Sequence, residues 1–370
     1  MAGDKFNLHG KELIDPVDNA RFFQEVEDET GKIITKSTTV LKFRNWLMST
    51  AIFSTLNTVG KNIIGAINEL KEGIDNNTAS LKDLANLNLF INGGFSVWQR
   101  GTSFSTNGYT ADRWMYDVEG DDKGKIVRHA NGGVQIKLIS NKRFWFMQRI
   151  ELNQELKNIF SNSTVTLSFY VTTSAGVKIS PYIRVWSPSR NANIFLKSYE
   201  AKATRQLIEC QITLGDLSSD DWLGIDIFRI EEDNKFTVGD DLYIRFENAK
   251  LELGTKATPF VPRPYGEELA LCQRYFETGV AKGIAFGQNN LMIAHNYKIS
   301  KRVKATLSFT SYLNHIVNKV SNFDTLADVD FTPNSINSDE NYIANVMCSE
   351  NNLIHGKTYA VYYKSDAEIY

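Results

Sequence analysis

The chain has 370 residues, of which 42% are hydrophobic and 12% aromatic, enough to fill two or three packed domains. Its formal net charge is -2 and no long basic run occurs, which excludes the concentrated positive face that a nucleic-acid binder needs. No apolar window approaches the roughly 18 residues of a membrane span.

Residues 1–56 mix charges with short apolar runs. The opening stretch Met1 to Gly10 is polar, so it does not read as a signal peptide. The runs Arg21-Phe-Phe-Gln-Glu-Val and Leu41-Lys-Phe-Arg-Asn-Trp-Leu-Met are expected to form short helices. A segment of this size is marginal alone and suits an anchor that docks on another protein.

Residues 57–88 carry the clearest periodicity. Ile63, Ile67, Leu70, Ile74, Asn77, Leu81, Leu84 and Asn88 alternate spacings of four and three, an a/d seam. So narrow a stripe is buried by supercoiling with copies of itself, with Asn77 setting register. The alternative is an amphipathic helix lying on the adjacent domain.

Residues 89–262 read as antiparallel β-structure. Val165, Leu167, Phe169 and Val171 alternate with polar positions, and Val177, Ile179, Ile183 and Val185 do the same. Leu223, Ile225 and Ile227 alternate with Asp226 and Phe228. Leu242, Ile244 and Phe246 alternate, then the apolar parity slips to Ala249, Leu251 and Leu253. A one-residue slip marks a β-bulge near Asn248. Many such strands with polar turns imply a sandwich. Residues 263–276 read as a proline-led connector and a short helix. Residues 277–370 return to β-patterning at Ala305 to Thr310 and Tyr359 to Tyr363, a second, smaller β-domain. Asn334 to Glu340 reads as a polar turn.

Catalytic signatures are absent. No phosphate-cradling loop, no Gly-x-Ser-x-Gly elbow and no His-x-x-x-His spacing occurs. The chain is therefore expected not to be an enzyme and to need no cofactor. The acidic turns at Asp117 to Asp122 and Gly239 to Asp241 could hold a structural calcium, although solvated turns are the commoner use of such runs. Cys210, Cys272 and Cys348 are too dispersed for a disulfide framework or a zinc site, and they read as small buried apolar residues.

One strand face does carry recognition chemistry. Tyr182, Arg184 and Trp186 fall on the non-core side of their strand, about 7 Å apart at each step of two residues. Aromatic rings flanked by a hydrogen-bonding cation suit a sugar platform. The competing use of such a face is contact with another sheet or a neighbouring chain.

Three stretches also resemble a known family. They are Asn88-Leu-Phe-Ile-Asn-Gly-Gly-Phe-Ser-Val-Trp-Gln-Arg-Gly with Tyr109-Thr-Ala-Asp-Arg-Trp, then Glu247-Asn-Ala-Lys-Leu-Glu-Leu-Gly-Thr-Lys-Ala-Thr-Pro-Phe, and the heptad segment Thr58 to Lys71. In this order they resemble bacteriophage tail-fibre and receptor-binding proteins, over roughly residues 57–277. The resemblance implies a mainly β protein: an N-terminal helical anchor (1–56), a trimeric coiled-coil stalk (57–88), a carbohydrate-binding-module-like, jelly-roll-like β-sandwich (89–262), a connector (263–276) and a C-terminal β-domain (277–370) that could be a receptor tip. It implies Trp98, Arg100, Asp112, Arg113 and Trp114 as structural residues, with Arg113 paired to a carboxylate such as Asp112 or one across the stalk junction. It further implies a homotrimeric virion protein, made in the cytoplasm of a bacterial host, that attaches to host surface glycans without catalysis. The partners expected are itself, other virion proteins through the N-terminus, and a host glycan, with no nucleic acid and no membrane insertion. A baseplate, collar or head-fibre protein that binds another viral protein is the alternative, and a polysaccharide depolymerase a more distant one.

Overall fold

In a computed structural model of the chain, the residues described are 21–27, 29–39, 68–69, 71–72, 87–119, 125–139, 143–231, 239 and 241–370. The chain divides into two compact units, Met1–Ala85 and Asn86–Tyr370.

In the first unit, β1 (Arg21–Glu27) and β2 (Ile33–Thr39) form an antiparallel hairpin. This corrects the helix expected at Arg21. The partner strand Ile-Ile-Thr-Lys-Ser-Thr-Thr is rich in β-branched residues that lose rotamer freedom in a helix. Gly31 supplies a left-handed φ of 83° in the turn between the strands. Residues Asn68, Glu69, Lys71 and Glu72 are helical. The seam positions Ile63, Ile67, Leu70, Ile74, Asn77, Leu81 and Leu84 lie outside the described residues, as does the Leu41 run.

The second unit opens with a sandwich of twelve strands, in chain order β3 (Ser103–Phe104), β4 (Gly108–Tyr109), β5 (Trp114–Val118), β6 (Lys125–Arg128), β7 (Val134–Lys137), β8 (Phe144–Glu151), β9 (Thr164–Thr173), β10 (Tyr182–Ser187), β11 (Ala192–Ser198), β12 (Gln206–Thr213), β13 (Trp222–Ile230) and β14 (Tyr243–Leu253). A short helix α1 (Gln154–Phe160), capped by the Asn153 side chain, joins β8 to β9. The front sheet has the order β11-β10-β13-β8-β5-β4 and the back sheet β12-β9-β14-β7-β6-β3. Every pairing is antiparallel, and from β8 onward the chain crosses repeatedly between the two sheets. Inward residues of both sheets share one core, in which Phe146 stacks on Trp114 at 5.1 Å and Phe246 contacts Phe169 and Phe228.

The parity slip in β14 is a bulge as expected. Its register against β9 shifts between Glu247 and Lys250, and Asn248 takes a φ of 53°. A second irregularity overturns one reading. The register of β13 shifts between Asp226 and Phe228, so Ile227 and Phe228 both enter the core and Phe228 is not on the outer face.

Helix α2 (Tyr265–Gln273) follows, in the place expected. The C-terminal strands are β15 (Phe276–Ala285), β16 (Asn290–Asn296), β17 (Thr306–Ser311), β18 (Lys319–Asn322), β19 (Ala327–Asp330), β20 (Pro333–Ser338), β21 (Tyr342–Cys348) and β22 (Thr358–Asp366). They form one sheet, β19-β18-β22-β15-β16-β21-β20, with β17 also on β22. This sheet has its own core around Leu291, Phe309, Val346, Tyr359 and Tyr363. Strand β20 replaces the turn expected at Asn334. It lies at the sheet edge, where a polar strand beginning with proline is tolerated because one side needs no ladder partner.

The two quoted motifs meet on β14. Asn88 Oδ1 accepts from Leu251 N at 3.0 Å, and its Nδ2 donates to the Ala249 carbonyl at 2.8 Å. Asn88 therefore docks on the sandwich and is not the last position of the seam. Asn92, at φ 58°, accepts from Ser96 N and Val97 N and donates to the Val97 and Asp112 carbonyls. A Cβ on Gly93 would lie 2.1 Å from the Ala249 oxygen, so this close approach requires glycine.

Candidate functional site

The outer face of the front sheet collects side chains in rows across four strands. One row runs Trp186, Gly224, Arg149; the next runs Arg184, Asp226, Met147, Met115; the third runs Tyr182, Arg229, Trp145, Asp117. The alternation of β10 produces this directly, since Ile183 and Val185 point into the core and their neighbours point away. Arg184 and Trp186 line a groove of about 200 Å³ together with Trp145, Arg149, Trp222, Arg229, Arg143 and Asp117. Tyr182 shares the face but not the groove wall.

The floor is shaped by Gly224. A Cβ there would fall 3.4 Å from the Trp222 ring and 3.5 Å from Trp186 Cβ, so the missing side chain keeps the space between the two indoles open. Each tryptophan carries a guanidinium. Arg184 lies 5.2 Å from the Trp186 ring centre, Arg149 4.8 Å from that of Trp222, and Arg229 5.0 Å from that of Trp145. Such contacts hold planar cations in place. On the face expected to combine aromatic rings with a cation through Tyr182, Arg184 and Trp186, each groove indole thus stands beside a guanidinium.

Asp226 anchors two of them. It is fully buried, and its carboxylate meets Arg184 Nε at 2.7 Å and Arg229 Nη1 at 3.4 Å. Burial pushes its carboxyl above the usual range, while the two guanidiniums oppose that rise. Burial likewise lowers Arg184, and Asp226 opposes the fall. Glu231 pairs with Arg229, and with Arg143 at 3.3 Å. Asp117 accepts from Asn107 Nδ2 at 2.7 Å.

One end of the groove adjoins the C-terminal segment. The Ile369 carbonyl accepts from Arg149 Nη1 at 2.7 Å and from the Tyr109 hydroxyl at 2.6 Å. Nearby, Arg113 pairs with Glu368 in a fully buried contact. Its partner is therefore across the unit in the C-terminal region and is not Asp112, whose carboxylate accepts instead from the Gln99 backbone and side chain. Trp114 fills the sandwich core and Trp98 packs at its margin.

Sequence reasoning missed Arg149, Trp145 and Trp222. Their own strands carried a signal: Trp145, Met147 and Arg149 alternate against Phe144, Phe146 and Gln148, and Trp222 leads β13 in the outward phase. What the sequence does not contain is the pairing of β10 and β8 to opposite edges of β13. The turn residues 120–124 and Asp240 lie outside the described residues; among those described, no group of three His, Cys, Asp or Glu side chains gathers as a metal site. The three cysteines are buried and free.

No protein-family model matches this chain, and no curated protein does. Solved structures do. A xylan-binding CBM22-1 domain from Paenibacillus barcinonensis Xyn10C is 12% identical, with 42% of this chain and 94% of that chain covered and a TM-score of 0.27. TmCBM61, in complex with β-1,4-galactotriose, is 14% identical over 45% and 97% of the two chains, with a TM-score of 0.29. The tripod from the baseplate of bacteriophage Tuc2009 is 20% identical over 49% and 60%, with a TM-score of 0.29.

Proposed function

We propose that this chain is a non-catalytic glycan-attachment protein of a bacteriophage particle, a homotrimeric tail fibre or receptor-binding protein whose sugar site is the groove on the front sheet. The observation that carries the sugar site is the convergence of Trp145, Trp186 and Trp222 with four arginines around one open groove. Indole faces and edges pack on the apolar sides of pyranose rings, and guanidinium donors bond hydroxyls. The buried carboxylate beneath the groove, Asp226, is committed to Arg184 and Arg229, which suits holding a ligand better than proton transfer. The virion setting rests on the sequence resemblance, and the trimer on the heptad seam. Three linked copies would raise a weak single-site affinity through effective concentration. A glycan array with the purified chain tests the reading: saccharide binding that disappears in Trp222→Ala is expected, and an array silent for the wild-type protein would overturn it.

A second reading, a structural virion component that binds another viral protein, is favoured by a different surface. Ile284, Phe286 and Met292 on β15 and β16 and the loop between them are 56%, 64% and 51% exposed, an apolar patch of the kind found at protein interfaces.

A further inference from the structure

We propose that the saccharide held in the front-sheet groove carries an oxyanion, a carboxylate or a phosphate, and that Arg149 receives it. This rests on the sugar-binding reading above and adds the ligand's chemical class. Among the described residues, the other three groove arginines have carboxylate partners: Arg184 and Arg229 on Asp226, and Arg143 on Glu231. Arg149 has none at ion-pair distance. Its Nη1 donates to the Ile369 carbonyl at 2.7 Å, which satisfies a hydrogen bond but neutralises no charge, and its Nε is buried without a partner. Asp117, the carboxylate that lines the same groove, is hydrogen-bonded to Asn107 instead.

A half-buried cation with no carboxylate in contact has its desolvation only partly offset, here by Asp117 acting through space. An incoming oxyanion completes that offset. The geometry also suits it. Nη1 is occupied and Nε is buried, so Nη2 remains as the donor for a charge-assisted contact with a carboxylate or phosphate. Trp222 supports the guanidinium at 4.8 Å, so little freedom is lost when the ligand binds. A neutral sugar would meet the same rings and leave this charge without a contacting counter-ion.

Calorimetric titration of the full chain would compare an oligogalacturonate, a neutral galacto-oligosaccharide of equal length, and a glycerol-phosphate oligomer. At least one anionic probe is expected to bind about 10- to 100-fold more tightly than the neutral one, the range of a charge-assisted hydrogen bond, and to weaken with added salt. Which of the two does so identifies carboxylate or phosphate. Arg149→Met should abolish the preference, and Arg149→Lys, which keeps the charge but not the planar group held over Trp222, should restore only part of it. Equal binding of neutral and anionic probes, or an anion preference that survives Arg149→Met, overturns the proposal and leaves the sugar site standing. Binding to neither anionic probe, beside saccharide binding on an array that is lost in Trp222→Ala, overturns it too. An array without any binding removes the sugar site itself.

Discussion

Arg113 and Glu368 are 255 residues apart in sequence and form a fully buried ion pair. Arg113 holds a φ of 72°, rare for a residue with a side chain, at the turn before β5. That turn aims its guanidinium at Glu368, over the Tyr275 ring at 3.5 Å, and Nη2 donates to the Arg149 carbonyl. Glu368 is shared with Arg100, which lies 3.5 Å from the Phe276 ring centre. Two arginines of the sandwich thus converge on a carboxylate that follows the last C-terminal strand.

Removing one partner of this pair should be costly, because the other charge stays buried. Glu368→Ala is expected to lower unfolding free energy by about 3–5 kcal/mol in a denaturant titration. Replacing Arg113 and Glu368 together by leucine should recover more than half of that loss. A single-mutant loss below about 1 kcal/mol would show that the pair does not hold the two regions together.

Gly93→Ala tests the junction between the two quoted motifs. Its Cβ would meet the Ala249 carbonyl at 2.1 Å, and both groups are backbone-fixed. A destabilisation of roughly 3 kcal/mol is expected in thermal or chemical unfolding. Gly266→Ala, at an ordinary φ with nothing within 4 Å of the added methyl, is the control for replacing glycine without a clash.

Trp186→Ala should weaken glycan binding by about 10- to 30-fold, as loss of a central aromatic anchor does. The melting temperature should stay near that of wild type, since the ring lies outside the sandwich core. If the variant instead fails to fold, Trp186 acts as packing for Arg184 and the groove assignment fails at that position.

Sedimentation of the full chain is expected to give a trimer, and Ile67→Asp with Ile74→Asp to dissociate it, because seam charges would be desolvated without partners. A clean monomer for the unmodified chain at micromolar concentration would sink the stalk.

His295 gives a pH dependence. It is half-buried beside Tyr363, with Nε2 3.0 Å from the phenol oxygen, and the phenol donates to Glu277. Burial lowers its pKa below the ordinary 6.5, against the pull of Glu277 and with that of Lys298 and Lys301. A depressed histidine binds its proton more readily in the unfolded chain, so its contribution to stability is present above about pH 6.5 and is lost as pH falls through that value. The melting temperature should drop between about pH 7 and pH 5, and His295→Gln should flatten that slope. An equal slope in the variant would remove His295 as its source.

Several features were legible in the sequence because they are local. The bulge in β14 follows from a parity slip that flips Ala249 and Leu251 relative to Ile244 and Phe246. Helix α2 follows a proline-led connector, and the outward phase of Arg184 and Trp186 follows from period-two alternation in β10. Other features depend on who pairs with whom. The run at Arg21 becomes a strand because Ile33–Thr39 lies opposite it, and the polar residues after Pro333 become a strand because β21 offers an open edge. Phe228 enters the core because β13 bulges against β8, a slip its own residues do not reveal. The groove belongs to this second kind. Trp186 and Arg149 are 37 positions apart by number and become neighbours only because β13 lies between β10 and β8, with Gly224 opposite both. Side-chain period is a property of one strand and can be read from it. Strand order is chosen by the whole core at once, so Arg149's unpaired charge and Arg113's distant partner were decided in three dimensions.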